Sequence, residues 1–366
     1  VFASLLTPDV VPYFDGPPLD YLVSDAVLRD VTAVADTLNL GAELPAGLAD
    51  YAAPAVDRSR RLALPLWIEP LMCVTTKTQL EWLGLSSFPD SLLQLKASCT
   101  SFRSLPDVGG HAACLALDSR SPTFAIDSIL AAGLEPDDYA SFRAGKLPFD
   151  GPEMTDVLSS AASDLDGLLS ELSFSAAALA SNAAFAVCGS ISHLLADAQL
   201  PADDLVAGVF PAAPGVVVGI TTAAAIPLRA LVPADALDYL SWLGSIAALH
   251  AAAPELEANG ALPLRASLLA SASPGLFAQT ADAVWAALRI TAPSSRAFAV
   301  AAVGDAWLAA LPAFLHRDSL QDDLANLEAL RLAEIEGRSA PPLFVPLPGS
   351  HPAASLTVNI TTAATA

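Results

Sequence analysis

The segment LVAGVFPAAPGVVVGITTAAAIPL, residues 205–228, runs twenty-four residues without a charged side chain. Its reading decides the fold, because a stretch of this kind fits a lipid-spanning helix, a buried strand or a face meant for another subunit. Pro211, Pro214 and Pro227 argue against a spanning helix, since each removes a backbone donor and clashes with the preceding turn. Within the segment GVVVGITT, residues 215–222, is the best short strand in the chain, β-branched and bounded by Pro214 and by AAAIP. The missing charge therefore means burial, inside one subunit or between two.

The rest of the composition points the same way. The chain has 366 residues, enough for one large or two ordinary domains. It is 54% hydrophobic with a mean hydropathy of +0.51, and 15% of its residues are charged, against about 25% in ordinary soluble domains. The formal charge of −22 reflects a shortage of bases, 17 Lys plus Arg beside 39 Asp plus Glu. Gripping a polyanion requires clustered bases, and the densest cluster here is DRSRRL, with Arg58, Arg60 and Arg61. Sequence-specific nucleic-acid binding is excluded on that ground. Basic residues are also too scattered to set a membrane topology.

Cys73, Cys99, Cys114 and Cys188 show no C-x-x-C spacing and are thinly spread, so they read as buried thiols in a reducing compartment. The start, Val1-Phe2, carries no Met, basic region or small-residue cleavage site, and reads as processed or as part of a longer chain, without a signal peptide.

Helix punctuation is frequent. GPEMTDVLSSAASDLDGLLSEL places Pro152 at a first helical position, with Met154, Val157, Leu158, Ala161, Leu165, Leu168, Leu169 and Leu172 on one stripe. PLDYLVSDAVLRDVTAVADTLNLG, residues 18–41, predicts a second helix stopped by Gly41, and SPTFAIDSILAAG a third between Ser121 and Gly133. DSLQDDLANLEALRLAEIEG offers a capping pattern from Ser319 to Asp322 and a stripe of Leu320, Leu324, Leu327 and Leu330, blurred by Arg331. ADALDYLSWLGSIAALHAAAP is apolar all round and predicts a helix buried on nearly every side; PGLFAQTADAVWAALRI and RAFAVAAVGDAWLAALPAFLH are similar. Strand-like runs are fewer: LALPLWIEPLMCVTT from Leu62, VVVGITT from Val216, PLFVPL from Pro342 and SLTVNITT from Ser355. Internal prolines demote the first and third to edges or extended arms.

The expected fold class is therefore mainly α, α+β with a minor β component, an Ala-rich subunit with extended proline-rich termini. Turn chemistry divides it into a helical region with an extended arm at 1–150, a helical core at 151–340 and an extended arm at 341–366.

No residue is assigned a catalytic, cofactor-binding or metal-ligating role, and no cofactor is expected. CGSISHLL brings Ser190 and Ser192 near His193, but a nucleophile and its base are not supplied by adjacency, and the stretch reads as a Ser-rich helix or turn. GGHAAC offers His111 and Cys114, half a zinc site with no second pair, although Cys99 could join in space. His250 lies in an apolar helix and reads as a core or interface histidine. HRDSLQDD, from His316, lacks the Asn of a kinase catalytic loop. Asp137 with Asp138, and Asp203 with Asp204, read as carboxylates at helix starts. Asn359 opens an N-x-[ST] glycosylation pattern.

A soluble monomer needs a polar exterior, and this chain has few charges with which to make one. Permanent subunit interfaces resolve that mismatch, so self-assembly is preferred to an unrecognised enzyme using serine or carboxylate chemistry, and the chain is expected not to be an enzyme. The Ala- and Pro-rich helical character, with the ends TPDVVPYFDGPP (7–18) and PPLFVPLPGSHP (341–352), resembles the coat proteins of double-stranded RNA viruses of fungi and protists, partitiviruses among them. The resemblance implies a capsid subunit of an icosahedral virion, assembled in the host cytoplasm by homo-oligomerisation. It would enclose RNA without sequence-specific binding and without a membrane partner.

Overall fold

The computed structural model describes residues 10–14, 27–48, 51, 59–292 apart from 109, 122, 144–145, 170–175 and 199, and residues 320–337. Strand β1 (Val11–Phe14) is followed by the short helices α1 (Thr32–Thr37) and α2 (Leu40–Glu43). The long strand β2 (Leu64–Thr76) then leads into α3 (Lys77–Trp82) and α4 (Leu92–Arg103). Next come β3 (Ala113–Leu117), α5 (Phe124–Gly133), α6 (Pro136–Arg143), α7 (Pro152–Leu165), α8 (Ala177–Ala180), β4 (Ala184–Ser190) and α9 (Ile191–Ala198). Strands β5 (Leu205–Gly208) and β6 (Val216–Ala225) precede α10 (Pro233–Leu243), α11 (Ile246–Ala258), β7 (Leu262–Pro263), α12 (Ala266–Leu269), α13 (Leu276–Ala286), β8 (Arg289–Thr291) and α14 (Leu320–Gly337).

Eight strands join into one mixed sheet, ordered β1-β6-β2-β4-β3, with β5 and β7 also on β2 and β8 on β6. The pairs β3 with β4 and β6 with β8 are parallel and the others antiparallel. Strand β2 organises the molecule. Its first half, Leu64 to Pro70, pairs with β6 and β7; its second half, Leu71 to Thr76, pairs with β4 and β5. Apolar side chains cover both faces of each half. Cys73, Phe102, Phe124, Phe185 and Leu324 pack on one face of the second half, and Met72, Val187, Leu194 and Leu205 on the other. Ile68, Val217, Leu262 and Val284 pack on one side of the first half, and Leu64, Leu66, Ala224 and Leu240 on the other. Each buried side chain of this size contributes about 1.5–3 kcal/mol.

This is an α/β architecture, which corrects the mainly α expectation. The expectation failed because β2 was demoted on account of its prolines, whereas it lies at the centre of the sheet. Pro65 precedes a bulge between Pro65 and Trp67, and Pro70 is the last residue paired with β6 before β4 takes over at Leu71. Both prolines therefore sit where the ladder is already interrupted, and their missing N–H groups are tolerated. Strands β3 and β4 also escaped notice, because Ala- and Cys-rich strands buried on both faces do not alternate. They pair across the turn-rich region near residue 150.

The opening segment resolves into β5 and β6, joined by residues 209–215, and its missing charge is burial between packed layers of one chain. Helix α7 starts at Pro152 and buries Met154, Leu158 and Leu165 of the predicted stripe, with Ala162 buried in place of Ala161, and it ends at Leu165. Helix α14 buries Leu320, Leu324 and Leu327 of its predicted stripe but leaves Leu330 exposed, and Arg331 has a reason to interrupt the stripe. It bonds Glu328 through Nε at 2.8 Å and Nη2 at 2.6 Å, while Glu328 accepts the Phe149 N–H at 2.9 Å. The Arg331 hydrogen bond holds the Glu328 carboxyl below its ordinary range.

Other expectations are corrected. Within 18–41 the described helices are only α1 and α2, and Leu28 forms an isolated bridge to Pro227. Part of the supposed N-terminal arm is β1, paired along β6. Helix α10 is not enclosed: Ala236 and Leu240 are buried, but Tyr239 and Trp242 stand 49% and 46% exposed, stacked at 5.6 Å. The arm at 341–366, its two strand-like runs and the helix at 296–316 lie outside the described residues. Among the described residues no helix is long and apolar enough to cross a membrane.

The largest correction concerns cysteine. Cys73 is bonded to Cys188, and Cys99 to Cys114, leaving no free thiol. The first bond links directly opposed residues of β2 and β4, with Cα atoms 3.9 Å apart. The second ties α4 to β3 at 5.4 Å. Spacing alone could not reveal either pair, since partners are set by the fold.

Candidate functional site

Along β2 the residues alternate between faces. Past the bulge at Pro65, Ile68 is fully buried on one face, whereas Trp67, packed against the same cluster as Leu66, and Glu69 are partly exposed on the other. Opposite Glu69 in the ladder stands Ile220, the one residue of β6 that is also partly exposed. The sheet is thus open to solvent where β2 changes partners.

Strand β4 runs into α9 without an intervening loop, and this delivers two serines to the same place. Ser190 ends the strand beside Leu71, and Ser192 lies in the first turn of the helix. Both hydroxyls donate to Glu69 Oε1, Ser192 at 2.7 Å and Ser190 at still closer range, and the two Oγ atoms are 2.7 Å apart. A carboxylate at a helix N-terminus is favoured by the helix dipole.

Behind the serines a charged cluster fixes α9. Arg120 bonds Asp118 through Nε at 3.0 Å and Nη2 at 2.9 Å, and reaches Asp197 at 2.5 Å and the His193 carbonyl at 3.4 Å. The Asp118 hydrogen bond, reinforced by Asp197, raises the Arg120 pKa. Asp118 is buried, and its backbone N–H bonds the Cys188 carbonyl at 2.9 Å. Its Cβ lies where a side chain on Gly189 would sit. The loop after β3 is thereby clamped to both β4 and α9.

From the other half of the molecule, Gly260 closes on this helix. It follows α11 at φ 73°, and a Cβ there would overlap the backbone N and Cα of Ser192. Gly260→Ala combines left-handed strain with that clash. It is expected to displace the turn at residues 259–261 from Ser192 and lower the melting temperature, whereas Gly84→Ala, with an equally positive φ but open space, is expected to cost less. Differential scanning calorimetry of the two variants checks this.

The sequence candidates are dispersed. His193 faces Asp118, with Nδ1 3.9 Å from Oδ2, and no described contact joins it to either serine hydroxyl. Cys99 and Cys114 are bonded to each other and cannot ligate zinc as thiolates. His111 and His250 are exposed, the latter against the expectation of a core or interface histidine. The pairs Asp137–Asp138 and Asp203–Asp204 do stand in first helical turns. Arg60 is paired with Asp30 at 2.8 Å. His316 and Asn359 lie outside the described residues. Among the described residues no three His, Cys, Asp or Glu side chains gather as a metal site. What sequence reading missed is Glu69, and the available signal was a lone charge inside the apolar run LALPLWIEPLMCVTT.

A groove of about 690 Å³ is lined by other residues, among them Ile129, Asp156, Val157, Ser160 and Val216. Arg289 on its wall is turned to the carbonyls of Ala131 and Leu134. Its polar groups do not converge as those around Glu69 do, so the Glu69 cluster is the better candidate.

The fold is that of the sugar- and solute-binding receptors. The bacterial solute receptor AcbH, described as having an exclusive preference for β-D-galactopyranose, aligns with a TM-score of 0.72 at 16% identity, over 90% of this chain and 85% of that one. The sugar-binding protein MalE of Xanthomonas citri aligns at 0.68 and 12% identity, over 92% and 86%. UgpB of Mycobacterium tuberculosis, solved with glycerophosphocholine, aligns at 0.60 and 16% identity, over 92% and 86%. No protein-family model matches the chain, and no curated protein does.

These alignments span nearly the whole chain and overturn the coat-protein resemblance. With it fall the icosahedral shell, self-association around RNA and the virion. The serine or carboxylate enzyme finds no support either: the aligned proteins are named as receptors and binding proteins, and the expectation that the chain is not an enzyme stands with them.

Proposed function

We propose that the chain is a solute-binding receptor for a hydroxyl-rich small molecule, a sugar or related polyol, held where β2 changes partners. The observation that carries this reading is the convergence of Glu69, Ser190 and Ser192 at that junction, with Trp67 two residues before Glu69 on β2, within a fold shared with sugar receptors over about nine-tenths of the chain. An aromatic ring beside hydrogen-bonding side chains suits a sugar, which presents both apolar C–H faces and hydroxyls.

The reading places the protein outside the cytoplasm, in a bacterial periplasm or its extracellular equivalent. Two disulfides support that location, because such bonds persist in oxidising compartments. One of the aligned proteins is named as an oligosaccharide periplasmic-binding protein. The acidic surface and shortage of lysine suit a protein that meets uncharged ligands rather than polyanions.

A thermal-shift screen tests the proposal. A neutral mono- or disaccharide at about 100 times its Kd stabilises the fold by about 2.7 kcal/mol, which raises the melting temperature of a chain this long by roughly 3–6 °C. The expected result is a shift with one or a few related saccharides and none with amino acids. Uniform silence across neutral saccharides would count against the receptor reading.

A further inference from the structure

The hydroxyl protons of the Glu69 cluster can be counted. Three close oxygen contacts join Glu69 Oε1, Ser190 Oγ and Ser192 Oγ. An ionised carboxylate has no proton to give, and each serine hydroxyl has one. Both serine protons are therefore consumed within the triangle. Among these three side chains what remains is acceptor capacity alone, Glu69 Oε2 and the spare lone pairs of the serine oxygens, and the indole N–H of Trp67 is the nearest side-chain donor along β2.

The charges around the cluster agree. The first turn of α9 would attract an anion, but the two serine hydroxyls there are turned onto Glu69, which brings a carboxylate to that end of the helix. Arg120, the cation beside α9, is engaged with Asp118 and Asp197.

We propose, resting on the receptor reading above, that this site recognises the hydroxyl donors of an uncharged polyol and excludes phosphorylated or carboxylated ligands. A neutral hexose offers a donor on every hydroxyl. A phosphate monoester brings negative charge and acceptor oxygens to a cluster whose hydroxyl protons are already spent and which carries a carboxylate, so repulsion adds to unmet hydrogen bonding. The site thus differs in selectivity from a receptor of the same fold solved with a glycerophosphodiester.

The test compares each neutral hexose with its own phosphate monoester by calorimetric titration at neutral pH, on the intact wild-type protein and on Glu69→Gln. For the wild type, the phosphate ester is expected to bind roughly 100-fold or more weakly than its parent sugar. In Glu69→Gln, which replaces a charged acceptor by an amide that can donate, that gap is expected to narrow at least about tenfold. An ester that binds the wild type as tightly as its parent sugar would overturn the proposal while leaving the receptor reading intact. Failure of every sugar and every ester would overturn both. The wild-type comparison stands alone if the variant does not fold.

Discussion

Replacing Cys73 and Cys188 together by alanine is expected to lower the unfolding free energy by about 4–5 kcal/mol, the larger of two disulfide effects in this chain. The bond closes a loop across 115 residues, against 15 for Cys99–Cys114, and the entropy removed from the unfolded chain grows with the logarithm of that separation. The corresponding figure for the short loop is about 3 kcal/mol. The long loop's bond also pins the pairing of β2 with β4 four residues beyond Glu69 and two before Ser190. A one-residue slip there would turn Ser190 to the opposite face of the sheet. Denaturant titrations of the two double variants, Cys73→Ala/Cys188→Ala and Cys99→Ala/Cys114→Ala, measure the difference. Equal losses, or thiols that titrate in the purified wild-type protein, would contradict the account.

Arg265→Ala is expected to cost about 3–5 kcal/mol, a magnitude typical of leaving the partners of a buried charge unmatched. Arg265 is fully buried, and its guanidinium bonds the carbonyls of Pro65 at 3.1 Å, Leu264 at 2.6 Å and Gly244 at 2.7 Å. It thereby ties β2 to the turn between α10 and α11. Truncation strands three buried acceptors, each worth about 1–3 kcal/mol, and opens a cavity. The loss is reduced because the buried charge is itself costly: burial lowers the Arg265 pKa to about 10, opposed in part by Glu43. Arg265→Met keeps the volume and removes the charge, and is expected to lose less than alanine while still leaving the carbonyls unmet.

The sign of the pH effect follows from the same shift. Since the folded value lies below the ordinary arginine range, the unfolded chain holds this proton more tightly. The group's contribution to stability therefore rises as the pH goes from about 10 towards the ordinary arginine range. Both Arg265 variants should lack that rise, which denaturant titrations across the alkaline range would measure.

Elements whose residues obey one local rule were legible in the sequence. Helix α7 carries a clear stripe, α14 a shorter one that ends at Leu327, and the core of β6 is β-branched and uncharged. Strand β2 was misjudged because proline was weighed without knowing where the ladder breaks. Strands β3 and β4 were missed because residues such as Ala113, Cys114 and Ala186, buried on both faces, show neither helical nor strand periodicity. That omission turned an α/β protein into a mainly α one, and the apparent excess of apolar residues then looked like interface. The layers of a large mixed sheet absorb that excess within one chain.

The candidate site was half visible. Ser190 and Ser192 attracted attention only beside His193, which turns towards Asp118. Their actual partner, Glu69, is 121 residues from Ser190 in sequence. No local pattern records such a contact; only the register of β2 against β4 brings the two together. The disulfides were hidden for the same reason, and with them the evidence for an oxidising compartment.

The most direct test of the central claim is isothermal titration of the purified wild-type chain with neutral saccharides, read together with its size in solution. The account predicts saturable binding of one hydroxyl-rich ligand per chain, with the protein remaining a discrete species. Absence of heat with every neutral saccharide, or assembly of the chain into large particles, would contradict it.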